Sequence, residues 1–174
     1  MISEKFFDRD PKEVAVDLLG CILVRKYNRR ELKARIVETE AYYGKEDPAS
    51  RAREGKKLYN SPMFERAGLI FVYNVHRYWM FNITTKPVSA VLIRAAEPLN
   101  FKADLRGPGK LTLGLRIDKS LNGKELGKKS GVWIERGKRP EIIGASGRIG
   151  VKKDLEEPLR FFDLKSPYVS AHKK

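Results

Sequence analysis

The sequence holds one cysteine, two histidines and no glutamine among 174 residues. With Cys21 alone there is no intramolecular disulfide and no thiolate cluster. Cys21, His76 and His172 cannot make a conventional zinc site, so neither a metal nor a cofactor is expected. Long apolar runs are missing as well. A run such as Leu18 to Val24 falls far short of the ~20 residues that cross a bilayer, so no membrane partner is expected. Glu4, Asp8 and Asp10 near the start speak against a signal or transit peptide. There is no Walker loop, no G-x-S-x-G and no G-x-G-x-x-G pattern. The missing glutamine, beside much Lys, Arg and Glu, resembles the composition of hyperthermophile proteins.

Acidic residues are the minority charge. Against 22 Asp and Glu stand 36 Lys and Arg, a formal charge of +14 and a pI near 9.9. Such a surplus attracts polyanions, nucleic acid first and an acidic membrane surface second. The absence of a long basic amphipathic helix weighs against the membrane. The plainer alternative is that the charge only keeps the protein soluble. A chain of this length can bury about two-thirds of its unfolded surface, and 41 % apolar residues suffice for a globular core. One domain over residues 1–174 is expected.

Asp10-Pro11-Lys12-Glu13 reads as N-cap, N1 proline and N3 glutamate of a capping box, predicting a helix to about Leu19 with Gly20 as its stop. Cys21–Tyr27 and Leu32–Tyr42 read as strands around an Asn28-Arg29-Arg30 turn. Leu32, Ala34 and Ile36 share one face of the second strand, and strict alternation carries Glu38, Glu40 and Tyr42 onto that same face, as in a core strand running into a cleft. Residues 44–61 form a polar, basic loop. Leu69–Val75 and Tyr78–Thr84 flank His76-Arg77 as a hairpin whose tip lacks the usual Asn-Gly pair. Further strands are predicted at Val88–Ala95, Gly131–Glu135, Glu141–Ile143 and Leu159–Asp163, and Gly107–Leu111 opens a helix. About seven strands with few helices give an α+β fold around a mixed, mainly antiparallel sheet with a protruding hairpin.

Glu38 and Glu40, at i and i+2 on a strand, face the same way. One carboxylate beside another has a raised pKa, which suits acid–base work. The competing reading is a surface ladder paired with neighbouring cations, and composition alone favours it. Arg94 interrupts the core-like Val91-Leu92-Ile93; a buried arginine needs a carboxylate, and Glu38 or Glu40 is the natural partner. Asn74 and Asn82 interrupt apolar strands, and a buried amide either satisfies backbone or reads a ligand. Tyr73, Tyr78 and Trp79 near His76 and Arg77 could stack unpaired bases or simply pack the hairpin. Gly150 between Ile149 and Val151 implies a close backbone approach.

Arg35-Ile36-Val37-Glu38-Thr39-Glu40-Ala41-Tyr42, Met63-Phe64, Val72-Tyr73, Asn82-Ile83, Leu92-Ile93-Arg94-Ala95 with Glu97-Pro98, Gly107-Pro108-Gly109-Lys110-Leu111, Arg148-Ile149-Gly150-Val151, Pro158-Leu159-Arg160-Phe161 and Ser166-Pro167-Tyr168-Val169-Ser170 follow one another from near residue 35 to residue 170. This ordered set resembles the 3-methyladenine (alkyladenine, methylpurine) DNA glycosylase family of the vertebrate type. The resemblance implies a monofunctional glycosylase that flips a damaged, alkylated or deaminated purine out of double-stranded DNA and hydrolyses its N-glycosidic bond in base excision repair.

By the same resemblance, Glu40 is the general base, and Arg94 holds the water with the backbone carbonyl of Ile149. Tyr42 and Tyr73 wall the base pocket, and Asn82 obstructs the 2-amino group of guanine. His76, Arg77, Tyr78 and Lys110 face the DNA. The chain departs from the family at two points. A pocket histidine is replaced by Arg51, which either favours neutral purines over cationic ones or swings out of the loop to hold a phosphate, and a hairpin-tip tyrosine by His76. No lysine sits within the catalytic motifs around Glu40, Arg94 and Ile149, so no Schiff-base lyase step is expected. The protein is expected to be a monomer located with the DNA inside the cell. The rival class is a non-enzymatic basic nucleic-acid-binding protein, which accounts for the charge but not for Glu38, Glu40, Arg94 and Asn82 set into strands.

Overall fold

In the computed structural model, which describes residues 1–170, Asp10 caps the first long helix by accepting from Lys12 N at 2.9 Å. His172 lies outside the described residues. A short helix α1 (Glu4–Phe7) precedes this one, α2 (Pro11–Leu18). Only the Asp10 half of the predicted capping box forms; no bond from Glu13 back to Asp10 is found among the described residues. Val14, Ala15 and Leu18 turn one face of α2 into the core, each such burial contributing up to about 1.5–3 kcal/mol for the larger side chains. Gly20 ends the helix at φ +87, where a Cβ would lie 2.1 Å from the carbonyl oxygen of Lys138, so no other residue fits.

The remaining elements are β1 (Ile22–Tyr27), β2 (Arg30–Tyr42), β3 (Ile70–Val75), β4 (Tyr78–Thr84), β5 (Ala90–Pro98), α3 (Pro108–Gly114), β6 (Val132–Glu135), β7 (Ile143–Ser146) and β8 (Arg160–Asp163). They form an α+β fold on one 8-stranded sheet in which every pairing is antiparallel. The main order is β3-β4-β5-β2-β1-β6, with β7 and β8 off this path. The Asn28-Arg29 turn works because both residues adopt positive φ, 48° and 65°, the geometry that matches strand twist in a tight hairpin. At the β3–β4 tip His76 takes φ 54°, the place a glycine would normally fill.

β2 is the hub. Along one edge it pairs with β5 over nearly its whole length. Along the other, β1 covers residues 30–35 and β8 takes over at Glu38–Glu40. Where the second edge changes partner, β2 and β5 both lose step, with register shifts between Ile36 and Glu38 and between Glu38 and Thr39.

This break overturns the expected alternation. Ala34, Ile36 and Ala41 belong to the same buried apolar cluster, and Thr39 Oγ1 donates to the Ala15 carbonyl of α2 at 2.8 Å. Core-facing positions are therefore even before the break and odd after it, and Glu38, Glu40 and Tyr42 point to the opposite face from Leu32, Ala34 and Ile36. On β5, Val91, Ile93 and Ala96 show the matching switch, which leaves Leu92 and Arg94 on the same side as the two glutamates. A bulge that re-aims side chains beside a functional site is a recurrent device.

Smaller corrections concern boundaries. The strand expected at Glu141–Ile143 occupies Ile143–Ser146, the one from Val88 begins at Ala90, and the described residues hold eight strands rather than about seven. No helix among the described residues is long and apolar enough to cross a membrane.

Candidate active site

Glu38 and Glu40 are both fully buried, so the surface-ladder reading does not hold. A buried carboxylate needs partners for each lone pair. Glu38 has four. Its Oε1 accepts from Arg94 Nε at 3.0 Å, Arg160 Nε at 2.8 Å and Ser170 Oγ at 2.8 Å, and its Oε2 accepts from Ser170 N at 2.7 Å. Burial pushes its pKa up, but Arg160, Arg94 and the Ser170 amide outweigh burial and hold it below the usual carboxylate range.

Glu40 has weaker support. Its Oε1 accepts from the Tyr42 hydroxyl at 2.9 Å and from Arg94 Nη1 at 3.4 Å; its Oε2 accepts from Ile149 N at 2.7 Å. Burial dominates here and raises its pKa, against the pull of Arg94, the Ile149 amide and Tyr42. Two adjacent carboxylates with opposed shifts are the arrangement that separates a structural anion from an acid–base group.

All three donors to Glu40 come from residues that line an open cleft of about 680 Å³, together with Arg51, Tyr73 and Leu92. Glu40 itself sits just behind that lining. Tyr42 and Tyr73 both reach the cleft, and burial raises both phenol pKa values, so both rings are neutral at physiological pH. A narrow recess beneath it brings Arg51, Tyr42 and Tyr73 together with Met63, Phe71 and Asn82. Asn82 Nδ2 is committed to the Phe71 and Met80 carbonyls at 3.2 and 3.3 Å. Asn74, by contrast, is exposed and reads nothing buried.

The wall carrying Tyr42 is held by Arg148, which sequence reasoning did not single out as a site residue. Its guanidinium lies 4.5 Å from the Tyr42 ring centroid and makes a two-pronged pair with Asp47, Nη1 to Oδ2 at 2.7 Å and Nη2 to Oδ1 at 2.8 Å. Nε reaches Asp154 at 2.8 Å and Nη1 also reaches the Ala41 carbonyl at 3.1 Å. This clamp ties the 44–61 loop to residues 147–155 and sets the Ile149 amide against Glu40. Burial raises the Asp47 pKa, but Arg148 with the Ala49 and Tyr43 amides holds it below the ordinary value. Gly150 follows at φ +72 with nothing within 4 Å of a Cβ position, so it serves a left-handed turn and not the expected close approach.

Arg160, fully buried, is the other residue sequence reasoning passed over. Both it and Arg148 stand inside stretches that reasoning had singled out, beside apolar neighbours, and a guanidinium in such a setting was the available signal. Asn60, also fully buried, knots the loop by donating to the Arg51 and Gly55 carbonyls at 2.8 and 3.1 Å. Arg51 is thereby brought to the cleft, its guanidinium 4.6 Å from the Tyr73 ring centroid.

Of the residues expected to face DNA, His76 and Arg77 are exposed at the hairpin tip, and Arg77 leans on the Tyr78 ring at 5.5 Å. Tyr78 also packs against Gly109, where a Cβ would come within 2.7 Å of its ring. Lys110 is exposed and pairs with Asp104 at 3.0 Å. Arg53, Lys152 and Lys153 join the cleft wall. The catalytic motifs lack lysine in sequence, yet the fold delivers two lysines to the cleft.

A family model described as methylpurine-DNA glycosylase (MPG) matches residues 5–167. A protein of Aeropyrum pernix is 36 % identical over 98 % of this chain and 93 % of its own length. The DNA-3-methyladenine glycosylases of mouse and human are 35 % and 37 % identical over 97 % and 95 % of this chain, which spans 61 % and 66 % of those two proteins.

Proposed function

Because this chain belongs to the methylpurine-DNA glycosylase family, we propose that it removes damaged purines from double-stranded DNA by base flipping, with Glu40 activating the attacking water. It acts in this reading as one domain and as a monomer, located with the DNA in the cell. The observation that carries the reading is the contrast between Glu38 and Glu40 at the back of the cleft.

A glycosidic bond within a duplex is out of reach of a buried carboxylate, so the nucleotide must be extruded, at a cost of a few kcal/mol that is smallest for damaged or mispaired bases. Two neutral phenol rings, Tyr42 and Tyr73, offer surfaces for the extruded base, worth roughly 1–3 kcal/mol per stacked contact. Departure of the base leaves an oxocarbenium-like sugar. Glu40 stabilises that cation and takes the proton of the incoming water, and the group suits the task because burial has raised its pKa while Arg94 keeps it ionisable. Arg94 Nη1 and the Ile149 backbone orient the water. Asn82, rigid because its amide is tied to backbone, restricts the 2-amino edge of normal guanine. His76, Arg77, Tyr78 and Lys110 contact the duplex.

A non-enzymatic DNA-binding protein has no use for a fully buried carboxylate whose partners open onto a cationic cleft. Release of free base from a lesion-bearing duplex separates the two readings, and loss of that release in Glu40→Gln ties it to this site. Borohydride trapping tests the monofunctional assignment. A covalent adduct would show that Lys152, Lys153 or another amine forms a Schiff base.

A further inference from the structure

The residues lining the cleft include five cations, Arg51, Arg53, Arg94, Lys152 and Lys153, and not one carboxylate. Arg94 is neutralised from behind by Glu38 and Glu40. Arg53 has Glu54 at 4.0 Å. Arg51, deepest of the others, has no carboxylate partner among the described residues, and it lies over the very ring that walls the pocket. The opposite wall, Tyr42, already carries the Arg148 guanidinium at 4.5 Å. Each of the two rings that could attract a cationic ligand thus already carries a protein cation, Arg51 from the cleft side at Tyr73 and the buried Arg148 at Tyr42.

We propose that Arg51 makes this pocket select uncharged purine lesions over positively charged ones. The proposal rests on the glycosylase reading and names the substrate class of that same site. A purine methylated at N3 or N7 while still attached to its sugar carries a positive charge; a deaminated or etheno-bridged purine does not. A cation entering between Tyr42 and Tyr73 meets the uncompensated guanidinium at close range, where the partly desolvated setting weakens screening. A neutral purine meets a planar group that only donates. Hypoxanthine turns two acceptors, N7 and O6, along one edge and is the best-matched of these ligands. Arg51 is held for this role through its backbone, since Asn60 anchors its carbonyl and leaves the guanidinium free to swing aside from Tyr73 and onto the base edge.

The test compares two duplexes that differ only in the lesion, hypoxanthine or 7-methylguanine, in single-turnover release with spontaneous depurination subtracted. The wild-type protein is expected to favour hypoxanthine. Arg51→Gln, which keeps a planar donor and removes the charge, should shift the ratio towards 7-methylguanine by about tenfold or more, and Arg51→Lys, which keeps the charge, should shift it far less. A ratio unchanged in Arg51→Gln, in protein whose melting matches wild type, overturns the proposal and leaves the glycosylase reading standing. If Arg51→Gln does not fold, Arg51→Lys decides alone, and a shift there as large as tenfold overturns it. Release of neither base by the wild type fails the glycosylase reading itself, and the proposal with it.

Discussion

Glu38 and Glu40 share one guanidinium: Arg94 gives its Nε to Glu38 Oε1 at 3.0 Å and its Nη1 to Glu40 Oε1 at 3.4 Å. The shorter, better-supported contact belongs to the carboxylate with the lowered pKa, and the longer one to the carboxylate that burial has raised. In the proposed mechanism Glu38 is therefore the fixed counter-ion that aims Arg94, and Glu40 the group that exchanges a proton.

Glu40→Gln preserves the shape and removes the base. Excision should fall by roughly 100-fold or more while binding to lesion DNA persists. Single-turnover release and a gel-shift titration check the two halves, and excision near the wild-type rate would remove Glu40 from the mechanism.

The pH dependence follows from the same pair. A base must be ionised, so activity should rise with pH through the Glu40 pKa, and because that pKa is raised from 4.5 the acid limb lies above the ordinary glutamate position. Glu38 contributes to raising it. Glu38→Gln should therefore lower the rate by loosening Arg94, yet move the acid limb downward. A limb that stays in place would show that the two carboxylates do not interact.

Arg94→Ala leaves Glu40 buried without its cation. A stability loss of about 3–5 kcal/mol is expected, together with loss of excision. Chemical denaturation measures the first; wild-type stability in this variant would contradict the ion pair.

Acid sensitivity should come from Glu38 and Asp47. Both have folded pKa values below their ordinary ones, 4.5 and 3.8, so their stabilisation is complete above those values and disappears as pH falls through the lowered ones. Glu40 acts in the other sense, since its raised pKa favours proton uptake in the folded state. Thermal melts should hold from neutrality to about pH 5 and then fall. Asp47→Asn should lower the neutral melt and flatten that fall.

Non-specific DNA affinity should weaken steeply with salt, because every phosphate neutralised by Lys or Arg releases counterions. Removing Lys152 and Lys153 together should reduce the slope of log affinity against log salt by up to about 2. A slope near zero in the wild type would reduce the +14 charge to a solubility device.

The sequence by itself determined what short-range rules control. Asp10 and Pro11 start a helix and Gly20 stops it, Asn28-Arg29 turns a hairpin, and alternation marks the strands, because caps, turn geometry and pleat depend on neighbours a few residues away. The charge pointed to a polyanionic partner without excluding a solubility role, and Arg94 stood out as a guanidinium in a core-like strand, while composition alone left Glu38 and Glu40 on a surface ladder and Tyr73 in hairpin packing. Only the tertiary structure decided which side of β2 Glu38, Glu40 and Tyr42 face. A register break at Glu38 depends on β5 and β8, which lie more than fifty and more than a hundred residues away, and a local alternation rule cannot anticipate a step that two strands lose together. It likewise decided that Glu38 and not Glu40 receives Arg160 and Ser170, that Asp47 clamps Arg148 across 101 residues, and that catalytic motifs without lysine have lysines at their door. Burial and ion pairing set the acid–base character of a carboxylate, and both come from chain segments that meet only when the fold is complete.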